Sequence, residues 1–185
     1  PSFDHWLGTD KMGRDIFVRI LFGARISLAV GCLAAVINLI VGTIYGGIAG
    51  YVGGKVDMIM MRVVDIIYSV PSMLYIVLIM LIFGASVVSI MLGISITCWI
   101  DMARIVRQQV KSLKEQEFTM AAFVLGAGSS RILLKHLLIN TMGQIIVTVT
   151  LMVPQAIFTE AWLSFLGVGI SAPMASWGTL AQDAR

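Results

Sequence analysis

Few residues in this chain are of a type and spacing that could do chemistry. There are two histidines, His5 and His136, and they are separated by most of the chain. Cys32 and Cys98 stand one each in separate apolar stretches, the pattern of inert small hydrophobes, not of a disulfide or a metal pair. A phosphate-cradling loop needs G-x-x-x-x-G-K-[ST]. The one Lys followed by Ser or Thr is Lys111, and Val110 precedes it where glycine is required. Residues 126–130, GAGSS, are glycine-rich but lack a Lys and follow no strand, so they make a poor nucleotide site. H-E-x-x-H and G-x-S-x-G are absent. Neither a catalytic site nor a metal site is expected. If something is moved uphill here, the energy comes from another chain or from an ion gradient. A gradient-driven carrier would be expected to place carboxylates or broken helices at mid-membrane. The apolar runs offer little of this beyond Glu160, near the end of one of them.

Those runs dominate the chain. Of 185 residues, 58% are hydrophobic and 12% charged, against about 25% charged in soluble domains. The mean hydropathy is +0.95. The net charge of +3 comes from clustered basic residues, which bears on membrane topology and does not suggest a nucleic-acid partner. Residues 26–54 carry no charge, enough for one span. Residues 66–100 are also charge-free, too many for one helix and enough for two, with a tight turn at Phe83-Gly84-Ala85-Ser86. A fourth run, 137–159, is interrupted by Pro154 and closed by Glu160. The expectation is all-α: a polytopic transmembrane bundle with spans at about 26–51, 58–83, 87–104 and 137–160. Gly42, Gly46 and Gly50 repeat at the four-residue spacing that lets helix backbones approach closely, within the bundle or against a partner subunit. By parity the loops at 52–65 and 101–136 share one side, with eight basic residues: Lys55, Arg62, Arg104, Arg107, Lys111, Lys114, Arg131 and Lys135. The other side holds five: Lys11, Arg14, Arg19, Arg25 and Arg185. The positive-inside rule puts 105–136 in the cytoplasm, with 1–25 and 161–185 outside.

One stretch resists this scheme. Residues 118–130 are uncharged and mostly apolar, yet at about 1.5 Å per residue they reach only about 20 Å, short of a bilayer core of about 30 Å. The pattern predicts a short helix over 118–125, stopped by Gly126 and the turn-forming Gly128-Ser129-Ser130, then a second helix from Arg131. A short helix with an exposed apolar face either docks on another protein or lies on lipid headgroups. The basic residues before it, Arg107, Lys111 and Lys114, read as a solvated or headgroup-facing surface.

This stretch resembles the cytoplasmic EAA loop of the ABC importer permeases, whose pattern is E-A-A-x-x-x-G followed by I-x-L-P. Ala121, Ala122 and Gly126 match, and His136 and Leu138 stand where I-x-L falls; Met120 replaces the Glu and Ile139 the Pro. Residues 5–31, HWLGTDKMGRDIFVRILFGARISLAVG, and 160–185, EAWLSFLGVGISAPMASWGTLAQDAR, are similar to two further signatures of the peptide/nickel class, and 51–71 also fits. Together these motifs resemble those of the C-type permease subunits of dipeptide and oligopeptide importers.

The resemblance implies a single permease domain across 1–185, with four spans here and six in the whole protein, the first and last lying beyond these residues. It implies half of a translocation pathway for di- or oligopeptides; nickel is the alternative cargo within the class, and a gradient-driven carrier or a purely structural subunit are the competing classes. The implied partners are a second, homologous permease, two cytoplasmic ATP-binding subunits that hold ATP and Mg, and an extracytoplasmic substrate-binding protein, all around a lipid bilayer. Ala121, Ala122, Gly126, His136 and Leu138 would form the coupling loop. Leu7, Gly8, Thr9, Asp10, Gly13, Arg14 and Asp15 would be an external docking motif or a cap on the bundle. Glu160 would line the pathway or pair with an arginine. Trp162 and Trp177 read as interfacial anchors.

Overall fold

The computed structural model describes residue 3, residues 5–167, residue 169 and residues 175–184. Parts of the 160–185 signature, residues 168, 170–174 and 185, therefore lie outside the described residues, as does Arg185 of the charge count. Among the described residues, eight helices follow one another: α1 (Ile16–Val52), α2 (Gly54–Tyr68), α3 (Ser72–Phe83), α4 (Val87–Thr97), α5 (Ile100–Lys114), α6 (Glu117–Val124), α7 (Ser129–Phe165) and α8 (Trp177–Asp183). Strands are absent among the described residues; one isolated bridge joins Thr9 and Asp15. Two π-helical stretches, Asn38–Gly42 in α1 and Ile132–Leu137 in α7, widen the helices locally.

By length and composition, α1, the run Val87–Lys114 and α7 can each cross a membrane, and α2 with α3 can supply a fourth span. Three boundaries differ from the charge-free runs. α1 begins at Ile16, so Arg19 and Arg25 are helical; a charge near a helix end is tolerated where its side chain can reach the interface. The second run is broken at Ser69-Val70-Pro71, since proline disfavours helix at the residue before it. α7 starts at Ser129 and ends at Phe165, and Pro154 lies within it.

The chain forms two compact units, residues 1–34, 72–94 and 153–185 in one and residues 35–71 and 95–152 in the other. In the second unit the glycine repeat of α1 meets α5. A Cβ on Gly42 would stand 2.5 Å from Cβ of Met102, and one on Gly50 would stand 2.7 Å from the Arg107 carbonyl oxygen. At Gly46 it would collide with the Ala103 carbonyl. Backbones this close exclude any side chain on these three positions. α5 buries Ile100, Met102, Ala103, Val106 and Val110 and turns its basic residues the other way. Around it, Ala122, Ile132, Leu137 and Ile145 complete one apolar core.

In the first unit, Gly31 of α1 faces Val153 and Ile157, Gly93 faces Ile76, and Gly178 of α8 lies against Ala161 and Ser164. Ser176 caps α8 by accepting from the Thr179 amide, while the Thr179 hydroxyl accepts from the Ser176 amide.

Replacing Gly46 by Leu should push α1 off α5, destabilising the second unit by roughly 1–3 kcal/mol, the usual cost of overpacking. Gly47→Ala is the control, because a Cβ there meets Leu138 at an ordinary 3.6 Å. Thermal unfolding of the purified protein should show a loss for the first variant and none for the second.

Candidate functional site: an apolar helix on an acid–base clamp

α6 begins where α5 stops. Gln116 takes an extended conformation, and its carbonyl accepts from the amides of Thr119 and Met120 to start the new helix. The Thr119 hydroxyl donates 2.8 Å to the Leu113 carbonyl, tying α6 to the end of α5. The helix ends in a left-handed turn: Gly126 has φ +83°, its amide donates to Phe123 O, and the Ala127 amide donates to Ala122 O. That pair of bonds is a Schellman cap, which needs a residue free to adopt positive φ.

The helix is two-faced. Thr119 and Ala122 are buried, whereas Met120, Phe123, Val124 and Leu125 are exposed, Leu125 at 86%. The expected docking pair is thus split. Ala121 faces out, but Ala122 is 8% exposed and packs in the core with Val106, Val110 and Ile132. Its small side chain serves the chain's own packing. His136 and Leu138 are half-buried on α7; Leu138 packs beside Gly47, and the His136 carbonyl accepts from Asn140. Beside α6 lies a cavity of about 540 Å³ lined by Tyr51, Val52, Lys114, Met120, Phe123 and Val124, among others.

A clamp that sequence reading missed holds α5 in register. Asp57 of α2 is buried and accepts from Nε of Arg107, from its Nη2 at 2.6 Å, and from Lys111 at 3.4 Å. Arg104 donates 2.9 Å to Asp65 and lies 4.2 Å over the Tyr68 ring. Lys114 donates 2.6 Å to the Tyr51 carbonyl. Arg107, Lys111 and Lys114 are therefore not a merely solvated surface. Arg104, Arg107 and Lys111 meet acids that α2 carries eight residues apart, on neighbouring faces of the helix, while Lys114 takes the Tyr51 carbonyl at the end of α1. That spacing, opposite bases at 104, 107 and 111, was the signal available.

The external motif satisfies itself. Asp10 accepts from the amides of Met12 and Arg14, from Nε of Arg14 at 2.8 Å and from Arg19 at 2.8 Å. Arg19 also reaches Asp183 at 2.8 Å, joining this loop to α8. Desolvation pushes the Asp10 carboxyl up, but the Arg14 and Met12 amides and the Arg14 guanidinium outweigh it and hold it at about 2. Asp15 caps α1 by accepting from the Val18 amide and lies 2.8 Å from His5 Nδ1; together these hold its carboxyl below the ordinary range. The motif glycines, Gly8 and Gly13, sit where the chain reverses, while Leu7 and Thr9 are exposed.

Glu160 is fully buried. Its carboxyl oxygens accept from the hydroxyls of Ser27 and Ser164, each at 2.9 Å, and among the described residues no arginine meets it. Enclosed by its own unit, it lines no open surface. Ser27 Oγ in turn lies 3.4 Å from the Trp177 amide, so α1, α7 and the start of α8 converge there.

The family described as "Binding-protein-dependent transport system inner membrane component" matches residues 42–184. The chain belongs to this family. It is 55% identical over 183 residues to the oligopeptide transport system permease protein OppC of Bacillus subtilis (strain 168), covering 99% of this chain and 60% of that protein. It is 52% identical to the dipeptide transport system permease protein DppC of the same strain, over 99% of this chain and 57% of that one. With OppC of Escherichia coli (strain K12) the identity is 46%, over 97% and 59%. The chain spans about three fifths of the length of these relatives. As an inner membrane component it is an all-α, multi-pass membrane protein, which accounts for its apolar helices.

Two outcomes follow. Asp57→Ala strands Arg107 and should destabilise the protein by about 2 kcal/mol, whereas Asp57→Leu with Arg107→Met should recover most of that in thermal unfolding. Asp10 has a depressed folded-state pKa, so its contribution is complete above about pH 4, near its ordinary 3.8, and is lost as pH falls toward about 2. Hydrogen exchange of the Met12 and Arg14 amides, corrected for intrinsic rate, should stay flat from pH 7 to about 4 and rise below it. In Asp10→Asn it should be fast throughout.

Proposed function

We propose that this chain belongs to a permease subunit forming half of the translocation pathway of an ATP-driven importer of di- or oligopeptides. α6 is the part through which separate ATP-binding subunits drive it. One observation carries this reading: a helix whose exposed edge is Met120, Phe123, Val124 and Leu125, set on a clamped, glycine-packed support. The identities to oligopeptide and dipeptide permeases support the cargo class.

The division of labour is physical. This chain supplies no phosphate-binding motif, so ATP and Mg sit on the partner subunits. Docking of Phe123, Val124 and Leu125 in an apolar groove of such a subunit buries large exposed side chains, and ATP-driven motion of that groove then pulls α6. Because Thr119 and Ala122 fix α6 to α5, and Gly42, Gly46 and Gly50 fix α5 to α1, the pull reaches helices long enough to cross the membrane. A second permease completes the pathway, and an extracytoplasmic substrate-binding protein delivers the peptide to the side bearing the Leu7–Asp15 motif.

The test is ATP-dependent uptake of a labelled peptide by the full transporter in proteoliposomes. Phe123→Glu, which leaves the buried face of α6 alone, should cut uptake at least tenfold while the permease stays inserted and folded. Uptake that persists without ATP and collapses with the ion gradient would overturn the reading, and nickel uptake in place of peptide uptake would overturn the cargo.

A further inference from the structure

Arg25 is an exposed cation on α1, and among the described residues it has no hydrogen-bond or ion-pair partner. Its neighbours differ. Arg14 is held by Asp10, and Arg19 is shared between Asp10 and Asp183. All three arginines border a cavity of about 440 Å³ whose walls include Phe22, Ile26 and Ala29. Those three residues recur at four- and three-residue spacing, so they run along one face of α1 beside Arg25.

Depth decides what can fill this cavity. Residues 26–54 carry no charge and at about 1.5 Å per residue reach about 40 Å, more than the roughly 30 Å of a hydrocarbon core. Arg25 is the last charge before that run, so it stands at the boundary where lipid phosphates lie. An uncompensated charge there needs an anion. A guanidinium meets a phosphate through paired hydrogen bonds. Next to it the walls are apolar. A peptide in transit would bring backbone N–H and C=O groups that Phe22, Ile26 and Ala29 cannot satisfy. A molecule that joins an anion to hydrocarbon fits both halves.

We propose that this cavity is a phospholipid site. Arg25 holds the phosphodiester, and an acyl chain lies along Phe22, Ile26 and Ala29. The lipid completes the wall of this unit at the end of α1 that carries the external loop.

Native mass spectrometry of the full-length permease within its transporter, purified in detergent and titrated with phosphatidylglycerol, tests this. Wild type should keep one phospholipid about tenfold more tightly than Arg25→Ala, the worth of a charged hydrogen-bonded pair. Arg25→Lys should fall between, since it keeps the charge and loses the fork. Ala29→Leu, which narrows the cavity without touching the arginine, should weaken the same binding while subunit assembly is unchanged. Equal retention by wild type and Arg25→Ala would overturn the proposal. So would displacement of the lipid by inorganic phosphate or by a free dipeptide. Loss of the second permease from Arg25→Ala with the lipid count unchanged would assign the arginine to a protein acid and overturn it as well.

Discussion

The second unit depends on how closely two helix backbones approach. Along Gly42, Gly46 and Gly50, α1 lies against Met102, the Ala103 and Arg107 carbonyls and Val110 of α5, with no room for a Cβ. In a membrane the hydrophobic effect does not press helices together, so packing at such distances is the main source of adhesion. Everything beyond follows from where this contact puts α5. Its apolar face is buried, its basic face points at α2, and its end delivers the chain to α6. The Asp57–Arg107 pair then fixes rotation about the α5 axis, which the glycine contact alone would leave adjustable.

Much of this was legible in residues 1–185. Charge-free runs marked the apolar helices because a charge in hydrocarbon is so costly. The four-residue glycine spacing marked the packing face. Gly126 marked the end of the short helix, since a Schellman cap asks for positive φ. Other features were not legible, and each for a physical reason. Hydrophobicity does not say which side of an apolar helix is inward, so Ala122 reads from sequence as a docking residue although it is core. Runs of Arg and Lys near a membrane resemble a headgroup-facing surface, and only the placement of α2 reveals that Arg107 and Lys111 share Asp57. From sequence, Glu160 at the end of an apolar run reads as lining the pathway or as pairing with an arginine. It is enclosed by the hydroxyl of Ser164, one turn further along the same helix, and by that of Ser27, distant in sequence on α1.

The external loop and the short helix solve opposite problems. Asp10, Arg14, Arg19 and Asp183 satisfy one another, leaving a loop that holds its own shape and caps α1 through Asp15. α6 does the reverse. Its backbone is tied at both ends by turn hydrogen bonds, while Met120, Phe123, Val124 and Leu125 stay exposed. A segment tied down at both ends with a hydrophobic edge exposed is suited to meet another surface.

The surface that we propose covers this edge of α6 is a protein. In the assembled transporter, with Cys32 and Cys98 replaced by Ala and one cysteine introduced by Phe123→Cys, a short bifunctional crosslinker should join the permease to an ATP-binding subunit, and the yield should change when ATP is added. Labelling of that cysteine by a bilayer-dissolved reagent, with no crosslink to any subunit, would contradict the account.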